Sequence, residues 1–250
     1  MRQVLVTNDD GIEAEGLRAL ADALAPLGRV TVVAPAAESS AVGHGLTLRR
    51  PLQLEEVTPG WHSVDGTPAD CVNIAVSEVL GAVPDLVVSG INDGLNIGDD
   101  VTYSGTVAGA LEGVLLGAPA IAVSLRRSQR MDYAGGGYIA RQLAEAVLFE
   151  GLPRRTLLNV NLPRTIPRGI RITVQASRRQ TFGTTGSAGT GRTSVRIDSA
   201  QLDWEPNERS DYEAIRGGWV SVTPLHPDWT NHAALGAVEF LAESDEVEVR

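Results

Sequence analysis

Two adjacent carboxylates, Asp9 and Asp10, follow the apolar residues 4–7 and precede Gly11. Continuous apolar runs are typical of strands buried on both faces of a parallel sheet, and ligands of such sheets bind beyond the carboxyl ends of the strands. Neighbouring carboxylates repel each other unless a positive charge lies between them. The first hypothesis is therefore a divalent cation with oxygen ligands. The alternative is a solvated acidic turn at a helix N-terminus, which favours negative charge.

Two later loops carry hydroxyl and amide oxygens at the ends of further predicted strands. Ser39 and Ser40 follow the second strand, and Asn92 and Asn96 lie in a glycine-rich loop after residues 85–89. His44 is the only imidazole near these loops in the sequence, and no cysteine accompanies them. Carboxylate, hydroxyl and amide oxygens suit Mg²⁺ or Mn²⁺ better than zinc or copper. The three loops together predict a site for a hard cation.

A helix opens at Tyr103-Ser104-Gly105-Thr106. The first N–H groups of a helix have no partner within it and form an anion site that needs no lysine. A hard cation beside such amides is the arrangement expected for hydrolysis of a phosphate ester.

Each of these residues also has an ordinary structural explanation. Ser104 is a common N-cap, Asn92 a common turn former, and His44 an ordinary loop residue. The arginines at positions 126, 127 and 130 either steer a phosphate or form a solvated charged surface. Convergence of the three loops at one sheet edge favours the functional interpretation.

The hydrophobic pattern supplies the elements that must position these residues. Apolar strands are predicted at residues 30–34, 85–89, 120–124 and 157–161, besides the first. Helical periodicity lies between them, and strand–helix–strand units with short connections predict an α/β fold with a parallel sheet. The chain divides into a predicted core of residues 1–177 and a β-rich arm of residues 178–250.

The predicted arm contains a segment rich in Gly, Ser and Thr at residues 183–193, which we interpret as a mobile loop or hairpin tip. A closing helix is predicted near residues 233–241. Because so little β structure cannot bury much surface by itself, we expect the arm to pack on a second subunit.

Composition excludes several classes of function. A formal net charge of −10 argues against nucleic acid or an anionic membrane as the main partner. The absence of lysine excludes a P-loop lysine and Schiff-base chemistry, and a single cysteine allows no internal disulfide. No G-x-G-x-x-G or G-x-S-x-G motif is present. Without a signal peptide or a membrane-length apolar run, a cytoplasmic protein is expected.

The longest motifs resemble the SurE (survival protein E) nucleotidases. They are VLVTNDDGI, VVAP followed by Ser40 and GHGLTL, GTPADCV, VVSGINDGLNIGDDVTYSGTVAGALEG, LLNVNLP and VSVTPLHPDWT. The resemblance extends nearly end to end. It implies a Rossmann-like three-layer core whose C-terminal arm is exchanged between the subunits of a dimer, or in some relatives of a tetramer. It further implies a metal-dependent phosphatase that acts on nucleoside 5′- and 3′-monophosphates and on short polyphosphate.

Carried over by position, the resemblance assigns roles to individual residues. It implies one Mn²⁺ or Mg²⁺ per subunit, with Asp9 also a candidate for orienting water. The implied metal ligands are Asp9, Asp10, Ser40 and Asn96. The implied phosphate-binding residues are Asn92, Ser104, Gly105 and Thr106, and Asn92 is also a candidate catalytic residue beside Asp9. Apart from the resemblance, their residue types make His44 and Tyr103 candidate substrate contacts.

Two positions depart from the pattern of many relatives. Gly45 stands where they have Ser, and Asp93 stands where they have Arg, which adds a negative charge beside the phosphate loop. A non-catalytic sensor of metal-bound nucleotide on the same scaffold is the competing hypothesis, because a fold does not fix a function.

Overall fold

The computed structural model describes residues 1–164, 167–179, 183–188, 193–198 and 203–242. Within this part of the chain, nine strands form one sheet. In sheet order they are β3 (Leu54–Thr58), β4 (Trp61–Val64), β2 (Arg29–Pro35), β1 (Gln3–Thr7), β5 (Leu86–Asp93), β6 (Ala120–Leu125), β7 (Leu157–Leu162), β11 (Val220–Leu225) and β8 (Ile170–Ile172). Most neighbours run parallel, while β3 with β4 and β7 with β11 are antiparallel.

Helices cover both faces of the sheet. Helices α1 (Glu15–Leu24) and α4 (Tyr133–Glu150) pack with one apolar cluster, which includes Leu17, Leu20 and Ala144. Helices α2 (Pro68–Ile74) and α3 (Gly105–Leu115) pack with a second cluster on the opposite face. The three-layer α/β core with a mainly parallel sheet is therefore confirmed. No helix among the described residues is both long enough and apolar enough to cross a membrane.

Strand register places the predicted site. Central strand β1 lies parallel between β2 and β5, and Thr7 is level with Ser89. The chain leaves the sheet after Thr7, while β5 continues to Asp93 beside β6, and both strands direct their carboxyl ends toward the same edge. Val4, Leu5 and Val6 are buried, so polar side chains that follow β1 can reach a ligand only beyond the end of the strand.

Thr67 is the N-cap of helix α2. The Thr67 hydroxyl accepts a hydrogen bond from the Asp70 backbone N–H, and the Asp70 carboxylate accepts one from the Thr67 N–H. This reciprocal capping box and Pro68 at the first helical position satisfy backbone groups that the helix itself leaves unpaired.

The chain returns to the core after the predicted boundary at residue 178. Strand β11 pairs with β7 and β8, and helix α5 (Asp211–Arg216) packs beside it. The structure therefore places β11 and α5 with the core. In contrast, β9 (Gly183–Ala188) and β10 (Thr193–Asp198) pair, among the described residues, only with each other and run antiparallel. The segment predicted as a mobile loop or hairpin tip therefore begins with a strand, and its residues 189–192 lie outside the described residues.

The prediction of a closing helix near residues 233–241 is wrong, because the structure has no regular α-helix there. Two short 3₁₀ segments, His232–Ala234 and Gly236–Leu241, occupy the region. Residues 236–242 are all exposed, so no apolar face is buried to stabilise a regular α-helix.

Gly98→Ala is expected to destabilise the protein by about 1–3 kcal/mol more than Gly81→Ala. Both glycines have positive φ, which disfavours alanine, but a Cβ at Gly81 would meet open space. A Cβ at Gly98 would overlap the Trp204 ring and lie 2.6 Å from the Ala176 carbonyl oxygen. Urea denaturation measures the difference, and equal losses in the two variants would contradict the packing described here.

Candidate functional site

The site is built where the end of β1 meets the N-terminus of α3. Asp9 is 5% exposed, and its Oδ1 accepts a 2.6 Å hydrogen bond from the Thr106 hydroxyl. Gly105 makes this approach feasible, since a Cβ there would lie 2.8 Å from the Asp9 Cβ. The predicted proximity of Asp9, Gly105 and Thr106 is observed in the structure.

The loop after β2 is tied to the same point. The Ser39 backbone N–H donates to the Asp9 carbonyl oxygen at 2.7 Å. Ser40 is exposed, and its hydroxyl donates to Glu38 Oε1 at 2.7 Å. The structure thus brings the loop of Ser40 to Asp9, while the Ser40 hydroxyl itself is bonded to Glu38.

Asn96 is buried and linked to Asp9 through Thr106. Its Nδ2 donates to the Thr106 hydroxyl at 3.4 Å and to Ser124 Oγ at 2.8 Å. Because both side-chain contacts found in the described part of the chain use Nδ2, Oδ1 is the atom available as a cation ligand. Asn96 is thus connected to Asp9 by hydrogen bonds, and its role as a cation ligand stays a prediction.

Sequence reasoning missed two residues that hold the backbone of Asn96 in place. Asn159 and Asn161 of β7 donate from Nδ2 to the Asn96 carbonyl oxygen at 2.8 and 2.9 Å. Asn161 also accepts the Asn96 backbone N–H at 2.9 Å. Their signal was present as two asparagines on alternate positions of a buried strand, where an amide side chain needs a partner.

Asn92 and Asp93, which the sequence predicts in a loop, are instead the last residues of β5. Asn92 Nδ2 donates to the Gly94 carbonyl oxygen at 2.9 Å, as its structural explanation predicts. Asp93 accepts a hydrogen bond from Arg127 Nε at 3.1 Å, and Arg127 also donates to the Asp93 carbonyl oxygen. The negative charge that departs from the family pattern is therefore partly neutralised by Arg127.

The surroundings of Asp9 and Asp10 disfavour the charged forms of both carboxylates. Burial raises the pKa of Asp9, although the Thr106 hydrogen bond opposes the shift. Burial, followed by the charge of Asp9, raises the pKa of Asp10 to about 6. A positive charge between them would reverse this repulsion.

The donor chemistry fits a hard cation. Over the described residues, no three or more His, Cys, Asp or Glu side chains are grouped so that they could hold a metal. A metal here would therefore combine the two carboxylates with neutral oxygens such as those of Ser40 and Asn96. Such an oxygen set suits Mg²⁺ or Mn²⁺, whose two positive charges the two carboxylates would balance.

The N-terminus of α3 supplies amide donors beside these carboxylates. Ser104 is the N-cap, and its hydroxyl accepts the Val107 N–H at 3.0 Å. The N–H groups of Gly105 and Thr106 lie in the first turn, where an anion is favoured.

The two candidate substrate contacts, Tyr103 and His44, have different surroundings. Tyr103 is exposed and has Arg178 over its ring at 5.8 Å. His44 Nε2 lies 2.6 Å from Glu112 Oε2 on α3, and His44 lines the same cavity as Ser104.

The fold and the site define an α/β protein with an oxygen-lined ligand site at the carboxyl edge of its parallel sheet. The family model described as survival protein SurE matches residues 4–182. The chain belongs to the SurE family.

Individual relatives match nearly the whole chain. A protein of Geobacter metallireducens named 5′-nucleotidase SurE is 48% identical over 239 residues, which cover 93% of this chain and 94% of the relative. A protein of Myxococcus xanthus with the same name is 45% identical and covers 94% of this chain and 91% of its own length. The chain also matches the crystal structure of the SurE protein from Aquifex aeolicus, with a TM-score of 0.88 and 40% sequence identity. The match covers 96% of this chain and 99% of that one.

In the presence of a chelator, Asp10→Asn is expected to stabilise the protein at pH 8 by about 1–2 kcal/mol, allowing for partial exposure of Asp10. The pKa of Asp10 is raised from 3.8 to about 6, so the native state binds a proton more tightly than the unfolded chain. The unfolding free energy of the wild type therefore falls as pH rises through this interval, and the difference between the two proteins should vanish below about pH 4.

Urea denaturation at pH 4 and pH 8 measures this effect. Asp22→Asn on the exposed face of α1 removes the same charge and is the matched control. Equal pH profiles for the two variants would show that Asp10 carries no such unfavourable charge.

Proposed function

We propose that the protein is a metal-dependent phosphomonoesterase that hydrolyses nucleoside 5′- and 3′-monophosphates to nucleoside and phosphate, and also short-chain polyphosphate. The names of the relatives from Geobacter metallireducens and Myxococcus xanthus support the nucleotidase activity. The observation that carries the proposal is the contact of Asp9 with Thr106 at the start of α3. It puts a carboxylate for a cation beside amides for a phosphate.

In this proposal Asp9, Asp10, Ser40 and Asn96 hold one Mn²⁺ or Mg²⁺ per subunit. When bound, such an ion polarises a phosphoryl oxygen and lowers the pKa of a water. The donor atoms come from three separate loops, which the Ser39–Asp9 and Asn96–Thr106 hydrogen bonds hold together.

The remaining chemistry belongs to side chains and amides of this chain. The N–H groups of Gly105 and Thr106, with the amide of Asn92 and the hydroxyl of Ser104, bind the phosphoryl oxygens and receive charge that develops during attack by water. Asp9 orients that water, and the Thr106 hydroxyl fixes the direction of its carboxylate. Water adds to phosphorus, the ester P–O bond breaks, and the nucleoside oxygen leaves with a proton.

The biological setting extends the proposal. We place the protein in the cytoplasm as a homodimer or homotetramer, with nucleoside monophosphates rather than nucleic acid as its partners. The net charge of −10 supports the exclusion of nucleic acid as a partner, because a negatively charged protein is repelled by a polyanion.

Phosphate release separates the enzyme from the competing nucleotide sensor. The wild type with Mn²⁺ or Mg²⁺ is expected to release phosphate from AMP and from a generic aryl phosphate. A chelator should abolish the release, and adding back either metal should restore it. AMP binding without any phosphate release would favour the sensor.

Asp9→Asn and Asp10→Asn are expected to reduce turnover by roughly 10³-fold or more, because each removes a charged cation ligand while keeping the side-chain shape. The initial rate of phosphate release measures this loss, and circular dichroism checks that the fold is retained. Asp22→Asn is again the control for net charge. Wild-type activity in either site variant would refute the assigned ligands.

Deletion of residues 183–197 is expected to weaken self-association more than it weakens the core. The hairpin β9–β10 belongs to no larger sheet among the described residues, and an isolated two-stranded hairpin is at best marginally stable. Light scattering gives the oligomeric state, and thermal unfolding gives the stability of the core. A truncated protein with its full oligomeric state would refute the role of the hairpin.

A further inference from the structure

A cavity of about 480 Å³ adjoins the N-terminus of α3. Ser104, the N-cap of α3, and His44 both line it, and so does Trp229, which is 77% exposed. Much of the remaining wall is aliphatic, from Val101, Val107, Ala108, Leu111 and Leu157. Mostly apolar walls with a few directed polar groups are characteristic of sites for small organic ligands, and the volume lies in their usual range.

A buried carboxylate stands behind His44. Glu112 of α3 is 5% exposed, and both of its oxygens have partners. Oε1 accepts from Asn73 Nδ2 at 2.6 Å, and Oε2 lies 2.6 Å from His44 Nε2. A carboxylate can be buried only when it is paired and hydrogen-bonded, so these contacts account for Glu112.

The carboxylate also selects the form of the imidazole. An ionised carboxylate can only accept hydrogen bonds, so His44 must carry a proton on Nε2. In its neutral form the ring then has Nδ1 as an acceptor. The side chain of His44 is 29% exposed, which leaves part of the ring open to the cavity.

The loop that carries His44 is fixed on both sides of that residue. The Gly43 N–H donates to the Tyr103 carbonyl oxygen at 3.1 Å, and the Gly45 carbonyl oxygen accepts from the Thr67 hydroxyl at 2.7 Å. The imidazole is therefore held in place before any ligand enters, which lowers the entropy cost of binding.

The spacing along α3 sets which part of a substrate reaches His44. Glu112 lies seven residues beyond Gly105, or about 10 Å along the helix axis. In a nucleoside monophosphate bound by its phosphate at the start of α3, the ribose follows the phosphate directly. The base is then the part that extends toward the imidazole.

We propose that this cavity binds the base of the nucleoside monophosphate, and that Glu112 fixes His44 so that its Nδ1 accepts a hydrogen bond from the exocyclic amino group of the base. The proposal rests on the function proposed above. His44 is a contact that determines specificity, and Glu112 is a positioning residue that acts through it.

Three substrates and two variants test the proposal at pH 8. AMP carries the amino group, purine riboside 5′-monophosphate lacks it, and ribose 5-phosphate lacks the whole base. His44→Ala is expected to raise KM for AMP about tenfold, with kcat and the kinetics of ribose 5-phosphate within twofold of wild type. The preference for AMP over purine riboside 5′-monophosphate should disappear.

Glu112→Gln tests the positioning role. The glutamine oxygen accepts from Asn73 and its amide nitrogen donates to His44, so the ring proton moves from Nε2 to Nδ1. The preference for AMP should again be lost, and ¹⁵N spectra of the histidine ring should show the exchanged tautomer. His62→Ala on β4, whose imidazole lines a different cavity, is the control and should behave as wild type.

The possible outcomes separate the two proposals. An equal loss on AMP and ribose 5-phosphate, or no loss on either, would overturn the base contact. If the wild type releases phosphate from none of the three substrates, the proposed function fails instead. The base contact is then judged from calorimetric dissociation constants of AMP and ribose 5-phosphate with Mn²⁺, where His44→Ala should weaken only AMP.

Discussion

The structure depends on the close approach of the end of β1 to the N-terminus of α3. The Thr106 hydroxyl binds Asp9 at 2.6 Å, and the absence of a side chain at Gly105 lets helix and carboxylate meet. This contact sets a carboxylate beside the first amides of the helix, so groups suited to a cation and to an anion share one place. The loops of Ser39 and Asn96 are then fastened to the same point by their own hydrogen bonds.

The arrangement is electrostatically unfavourable without a ligand, and that property explains its chemistry. Burial raises the pKa values of Asp9 and Asp10, and the charge of Asp9 raises that of Asp10 further, so the folded chain holds two acids that disfavour their own charged forms. A divalent ion held there would relieve this repulsion, and the neutral Asn96 and Ser40 would add oxygen atoms without adding negative charge. The N-terminus of α3 would then favour a phosphoryl group beside the ion.

Much of this architecture could be predicted from the sequence because its signals are local. The apolar run before Asp9 indicates strand β1. Thr67 and Ser104 are typical N-caps and mark the starts of α2 and α3. Three features could not be predicted. They are the hydrogen bonds from Asn159 and Asn161 to Asn96, the pairing of His44 with Glu112, and the position of β11 beside β7. These contacts join residues at least 60 positions apart, and no spacing rule shows which distant strand or helix will be adjacent.

The most direct test is the location of Mn²⁺ by anomalous diffraction from crystals of the wild-type protein grown with the metal. The account predicts one strong peak per chain, within coordination distance of oxygen atoms from Asp9, Asp10, Ser40 and Asn96. A peak elsewhere, or a peak near Asp9 from which Ser40 and Asn96 both point away, would contradict it.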